Sequence, residues 1–161
     1  MRTSSCRRRA ESLAASAGTI LYAERRSVFS VAIGVSPVPT RYRVKMAGIW
    51  TFVRCGADIL LSGLHSDIEG EARCPICGAS ILFRIENRIV VDLRPRTAIL
   101  HVVELPSSPG VIAIACEETQ LFDKESCVRE WLSRHVGSKG IVEAPQDYLA
   151  RCLVGGTPQS A

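Results

Sequence analysis

The sequence predicts an α+β fold, a mixed or antiparallel sheet core with short flanking helices. Three observations point there. Short stretches of alternating apolar and polar residues recur from Thr19 to Leu105, which is the period of half-buried strands. Two segments near the C-terminus, 123–137 and 145–154, instead place their apolar residues at helical spacing. Neither an internal repeat nor a glycine-rich phosphate loop is present, so a doubly wound parallel sheet is not indicated.

Taken in order, residues 1–18 are basic and irregular or weakly helical. Residues 19–34 (TILYA, then SVFSVAIG across the polar ERRS) read as a hairpin, and SPVPT at 36–40 as a linker. RYRVKM and IWTFV, joined by Ala47-Gly48, read as a second hairpin. This hairpin delivers the chain to Cys55, at a strand-to-helix junction. A short helix is expected from Asp58 to about His65, weakened by Gly63. IEGEAR and ASILFRIE then pair around the CPICG turn. TAILHVVEL at 97–105 is an alternating strand, SSPG at 107–110 a turn, and VIAIAC at 111–116 a continuous apolar run of the kind found in a buried strand. In DKESCVREWLSRHVG, Cys127, Val128, Trp131, Leu132 and His135 share a helical face, with Gly137 where a C-cap would stand. GIVEA is a last short strand, and PQDYLARCLV a final helix opened by Pro145. The organisation is thus a tail (1–18), a hairpin and linker (19–40), a main domain (41–155) and a short tail (156–161).

A chain of 161 residues can bury a core without disulfide or metal staples. With 47% hydrophobic and 22% charged residues, its composition is globular, and no apolar stretch approaches the roughly 18 residues of a membrane span. The net charge of +4 comes largely from the arginines of the N-terminal third. A basic arm can serve nucleic acid, but no RNA-binding signature or zinc-finger spacing accompanies it, so a solvated tail is the expectation. The apolar part of the N-terminus is short and broken by Glu11, Ser12 and Ser16, which argues against a secretory signal. Seven scattered cysteines, an odd number, fit a reducing compartment better than a disulfide framework, and the cytoplasm is the expected location.

The cysteines carry the chemical interest. Cys55 and Asp58 in RCGADILL stand three apart, so on a helix they share a face and a thiol can exchange a proton with a carboxyl. A helix start would lower the Cys55 thiol pKa. Cys55 and Cys116 each stand where a strand ends and the chain turns, a usual place for residues that reach a cleft. Spacing alone does not separate catalysis from ordinary burial at strand ends. Cys74 and Cys77 form half of a zinc knuckle or a redox pair. A structural zinc would need Cys55 or Cys116 as distant ligands, and the incomplete ligand count argues against it. Cys127 and Cys152 read as small buried hydrophobes and Cys6 lies in the tail. His65, His101 and His135 are isolated, as surface or capping histidines rather than ligands.

Larger stretches resemble a known family. IWTFVRCGADILL, HSDIEGEARCPICGASI and VIAIACEETQLFDKESCVREWLSRHVGSKGIV are similar to segments of the alkylmercury (organomercurial) lyases, with SPVPTRYRV entering the core domain. The resemblance covers about residues 19–154 and is most specific at CGAD, at the cysteine six residues before Phe122, and at WLSRHVGSKG. It implies that Cys55 and Cys116 are the catalytic cysteine pair, that Asp58 is the catalytic aspartate, and that Cys74 is an accessory structural thiol, with Cys77 an added one. The implied reaction is protonolysis of a carbon–mercury bond. Two thiolates take R–Hg⁺ because mercury is a soft cation, and Asp58 delivers a proton to carbon. The implied products are a hydrocarbon and Hg(II) held by Cys55 and Cys116, with Asp58 in reach. No organic cofactor is called for. Small thiols would bring substrate, and a mercuric reductase would receive the ion.

Two departures stand out. Residues 1–34 supply at most the wing and a scrap of helix of the family's winged-helix-like N-terminal region. Glu117 and Glu118 follow Cys116, and their charge is expected to raise its pKa. Two rival readings remain. One is a non-enzymatic module holding Zn(II), Cu(I) or Hg(II) with Cys55, Cys74, Cys77 and Cys116. The other is a degenerate relative whose basic segment binds DNA or a partner.

Overall fold

The computed structural model describes residues 19–21, 32–105 and 113–154. The tails expected at 1–18 and 156–161 and the turn expected at 107–110 lie outside these residues. Twelve strands and three helices follow one another within them. β1 (Thr19–Leu21) pairs antiparallel with β2 (Ala32–Gly34), as the first hairpin requires, although the segment joining them is not among the described residues.

The main sheet is antiparallel, in the order β4-β3-β5-β6-β7. β3 (Tyr42–Met46) and β4 (Ile49–Phe52) meet at the expected turn, where Ala47 and Gly48 take φ of 48° and 82°. This is the doubly positive geometry that fits the twist of a two-residue hairpin. β5 (Ile68–Arg73) and β6 (Ser80–Glu86) pair around the cysteine turn, and alternation sends Ile81, Phe83 and Ile85 inward. The fifth strand, β7 (Ile89–Arg94), was not expected. Its hairpin with β6 turns at Asn87 and Arg88, both at positive φ, and no glycine announces it. Its residues are half-buried or exposed, as befits an edge strand, so no clean alternation marks it.

A second sheet of three antiparallel strands has β8 (Ile99–Val102) between β11 (Gln120–Phe122) and β12 (Ile141–Glu143). The strand expected over 97–105 is therefore broken at Val103, and its end, β9 (Glu104–Leu105), pairs instead with β10 (Ala113–Ile114). The buried strand expected at 111–116 is corrected accordingly. Only its two central residues form a strand, and Ile114 to Cys116 are half-buried because that strand pairs on one side with another two-residue piece.

Helix α1 (Gly56–Ser62) is buried along its whole length. It touches β3 and β5 of the large sheet, β8 and β11 of the small one, and β2. Helices α2 (Glu125–Arg134) and α3 (Pro145–Val154) match expectation, with Cys127, Val128 and Trp131 inward on α2. Gly137 is not the C-cap of α2; His135 is, and Gly137 takes its positive φ of 97° two residues later. His135 stacks on Trp131 at 3.9 Å and its Nδ1 meets the Trp131 carbonyl, so it does cap. His101 is corrected from surface to core: it is 1% exposed in the middle of the small sheet. His65 is half-buried just beyond α1.

Gly70 explains how α1 comes so close to the large sheet. It lies opposite Phe83 in the β5–β6 register, and a Cβ there would stand 2.3 Å from the Phe83 ring and 2.8 Å from Ile59 of α1. Overfilling a packed interior costs about 1–3 kcal/mol. Gly70→Ala is therefore expected to lower the urea midpoint with an unchanged slope. An unaltered midpoint would refute this account of the helix–sheet contact.

Candidate active site

The site is built at the N-terminus of α1. Cys55 is the N-cap residue with extended backbone (φ −147°, ψ 172°), and Asp58 stands at the third helical position. Asp58 Oδ2 accepts the Cys55 backbone N–H at 3.2 Å, which satisfies a donor that a helix start leaves orphaned. The helix consequently begins two residues before Asp58 and ends at Ser62, correcting the expected start at Asp58 and end near His65. Placing Asp58 in the first turn directs its carboxylate back over Cys55 rather than outward.

That carboxylate is the hub. Cys55 Sγ lies 3.4 Å and Cys116 Sγ 3.8 Å from Asp58 Oδ2, and the Gly34 N–H donates to Oδ1 at 3.0 Å. The three candidate residues of the sequence therefore meet: their ligand atoms lie within 4.8 Å of one another. Cys55 and Asp58 are 0% and 3% exposed, whereas Cys116 is half-buried. Cys116 arrives on the turn before β11, and His101 holds that turn through Nδ1 and the Glu118 carbonyl at 2.9 Å.

Two participants escaped the sequence. Gly34, 24 residues before Asp58, supplies a backbone donor, and a Cβ there would come within 2.8 Å of Asp58 Oδ2 and 2.3 Å of Arg54 Nε. Arg54 sends its positive field onto Asp58 and Cys116. Neither carries a motif. An arginine beside a cysteine in the sequence was the only available signal, and it did not reveal which way the side chain turns.

Electrostatics separates the two thiols. The Cys55 thiol is pushed well above the ordinary thiol value, first by its hydrogen bond with Cys116, then by burial and by Asp58. This corrects the expectation that a helix start would lower it: the field of a short helix is outweighed by a neighbouring sulfur, burial and a carboxylate. The Cys116 thiol is lowered, chiefly because Cys55 donates a hydrogen bond to its thiolate, with Arg54 adding to the effect against burial and Asp58. The expected upward push from Glu117 and Glu118 is corrected too. Both are exposed, where water screens them, and the Glu118 carboxylate accepts from Ser138 Oγ at 2.7 Å. Asp58 itself is raised, because burial outweighs the Gly34 and Cys55 hydrogen bonds and Arg54. A thiolate acceptor, a buried thiol donor and a carboxyl inclined to hold a proton thus share one point in space.

Cys74 and Cys77 stand apart from this group and lie with Asp123 and Cys127 instead. Cys55 and Cys116 are thus not the distant partners that the cysteine turn finds. Cys152 is buried on α3.

Comparison with known proteins agrees with the fold. Residues 35–153 match the family model for alkylmercury lyase. An alkylmercury lyase of Bacillus cereus is 23% identical over 111 residues, covering 68% of this chain and 51% of the relative. One of Staphylococcus epidermidis (strain ATCC 12228 / FDA PCI 1200) is 25% identical over 107 residues, 65% of this chain and 50% of its own. The chain spans about half the length of these relatives. A solved structure, the mercury-bound form of MerB2, superposes with a TM-score of 0.62 at 18% identity, over 93% of this chain and 73% of that one. The α+β, organomercurial-lyase-like architecture is therefore shared, and a family match over most of the chain places it: this chain belongs to the alkylmercury lyase family.

Proposed function

We propose that this chain cleaves the carbon–mercury bond of organomercurials by protonolysis, with Cys55, Asp58 and Cys116 as catalytic residues. The observation that carries the reading is the convergence of two thiols of opposite pKa shift on one buried carboxylate. Cys116, half-buried and inclined to ionise, receives R–Hg⁺ from a small-thiol adduct in solution, and that thiol leaves as thiolate. Cys55 then binds the same mercury and gives up its proton to Asp58 across 3.4 Å. A second sulfur on mercury raises electron density along the Hg–C bond. Asp58, whose burial favours the protonated form, passes the proton to carbon. The Hg–C bond breaks as the C–H bond forms, oxidation states are conserved, and Hg(II) stays on Cys55 and Cys116.

No organic cofactor enters this scheme. Among the described residues, no helix is long and apolar enough to cross a membrane, and the six described cysteines are free thiols. Free thiols favour the reducing cytoplasm as the working compartment. A mercuric reductase is the proposed acceptor of the ion, with small thiols as carriers on the way in.

Incubating the reduced protein with phenylmercury and excess small thiol, and following benzene by gas chromatography, tests the reading. Many turnovers are expected, with loss of benzene formation in Cys55→Ala. Tight mercury binding without benzene would overturn the enzymatic reading in favour of a thiol-based metal-binding module.

A further inference from the structure

The second thiol cluster lies on different elements from the first. The turn CPICG that joins β5 to β6 is tight: the Cys74 N–H donates to the Ala79 carbonyl at 2.9 Å and the Gly78 N–H to the Cys74 carbonyl at 3.0 Å. Gly78 holds φ at 74°, a left-handed conformation that suits glycine. The turn thereby presents Cys74 and Cys77 on the same side. Facing it is the junction of β11 and α2, which contributes Asp123, just before the helix, and Cys127, in its first turn. The Asp123 backbone is anchored by Thr97, whose Oγ1 donates to its carbonyl at 2.7 Å.

The four side chains converge. Cys77 Sγ lies 3.3 Å from Asp123 Oδ1, and all four ligand atoms lie within 4.8 Å of one another. Three sulfurs and one carboxylate are thus gathered around one point. In a tetrahedral zinc site, with Zn–S near 2.3 Å, the sulfurs stand about 3.8 Å apart. The cluster reaches that spacing by movements of no more than about an ångström. Cys74 and Cys127 are buried, Asp123 is 9% exposed and Cys77 is exposed, so there is a closed interior side and an open entry path.

We propose that Cys74, Cys77, Asp123 and Cys127 form a structural site for a tetrahedral divalent cation of the zinc class, separate from the Cys55–Asp58–Cys116 centre. The set is sulfur-rich and offers four protein ligands, as structural zinc sites do, with a carboxylate, itself a zinc ligand, in the place that a fourth Cys or a His usually takes. Lys124, with Nζ 4.0 Å from Asp123 Oδ2, offsets part of the ligand charge. Binding replaces thiol protons with metal, so affinity rises with pH. The metal would join the β5–β6 turn of the large sheet to the β11–α2 junction beside the small one. This site does not depend on the lyase reading and would stand if that reading failed.

The test uses the full chain, reduced and stripped of metal under anaerobic conditions, and titrated with Zn²⁺ or Co²⁺. One zinc per chain is expected to survive desalting, with a rise in Tm because the ion binds only the folded state. Co²⁺ should give the visible bands of a tetrahedral ion, with thiolate charge-transfer intensity for three sulfurs. Cys77→Ser, at an exposed position, should weaken zinc binding by at least the roughly 10–100-fold that loss of even an outer-shell partner costs a metal site. The Cys55→Ala, Cys116→Ala double variant should keep it. Failure to retain zinc stoichiometrically, an octahedral cobalt spectrum, or binding lost in the double variant but kept in Cys77→Ser would each overturn the proposal. The cobalt spectrum of the unaltered chain decides the matter even if Cys77→Ser misfolds.

Discussion

Asp58→Asn is expected to lower the rate of carbon–mercury cleavage by about 10²–10⁴, the usual contribution of a positioned general acid, while both cysteines still capture mercury. The amide is nearly isosteric but has no acidic proton to pass from Cys55 to carbon. Single-turnover benzene release from a preloaded phenylmercury complex isolates that step, and mercury retained after desalting measures capture. There is a structural cost as well. Asp58 accepts the Gly34 N–H on one oxygen and the Cys55 N–H on the other, and an amide offers only one oxygen. One backbone donor then faces an NH₂ group, at a cost of about 1–3 kcal/mol, so the comparison belongs well below the Tm of the variant. An undiminished cleavage rate in Asp58→Asn would remove the proton-delivery role.

Cys116→Ser is expected to reduce turnover by about 10⁴–10⁶, the range seen when one member of a catalytic group is removed, and Cys116 should also dominate reaction with a small alkylating agent. Its lowered pKa places the rise of alkylation with pH below the ordinary thiol range, and the acid limb of lyase activity should follow it. The sign follows from the reactive species: the thiolate captures mercury, so activity falls as pH drops through the Cys116 pKa. Because the hydrogen bond from Cys55 is the largest cause of that lowering, Cys55→Ala should move the alkylation midpoint upward. A midpoint that stays put, or moves down, would show that the two sulfurs do not share a proton as described.

Much of this architecture was legible because local chemistry announces it. Ala47-Gly48 marks its hairpin, Pro145 opens α3, and the periodicity around Trp131 draws α2. The Cys55–Asp58 pair was legible for the same reason, since the two stand three positions apart at a helix start. Cys116 is 58 residues from Asp58, and no spacing rule joins them; the family resemblance did. β7 escaped because an edge strand buries too little to alternate, and because Asn87-Arg88 enters positive φ without glycine. Asp123 and Cys127 escaped as partners of the CPICG turn because the pairing of β5 with β6 and the packing of β11 bring them together only in three dimensions. The thiol pKa values were misjudged for a related reason. The sequence shows a helix start beside Cys55 and two glutamates beside Cys116, but it does not show that each cysteine's strongest neighbour is the other.

The unequal depth of the two cysteines bears on how the reaction would end. In the proposed scheme Hg(II) finishes between a fully buried sulfur and a half-buried one, and a two-coordinate bis-thiolate mercury does not dissociate unaided at a useful rate. An incoming thiol must attack the ion while it is still held, and only the Cys116 side is open to it. Departure is then associative and ordered: the Cys116 link is exchanged first, and the buried Cys55 link yields to a second thiol. Exit would scale with the supply of outside thiols, so under the proposed scheme throughput would be set by the thiol acceptor of Hg(II) as much as by cleavage of the carbon–mercury bond.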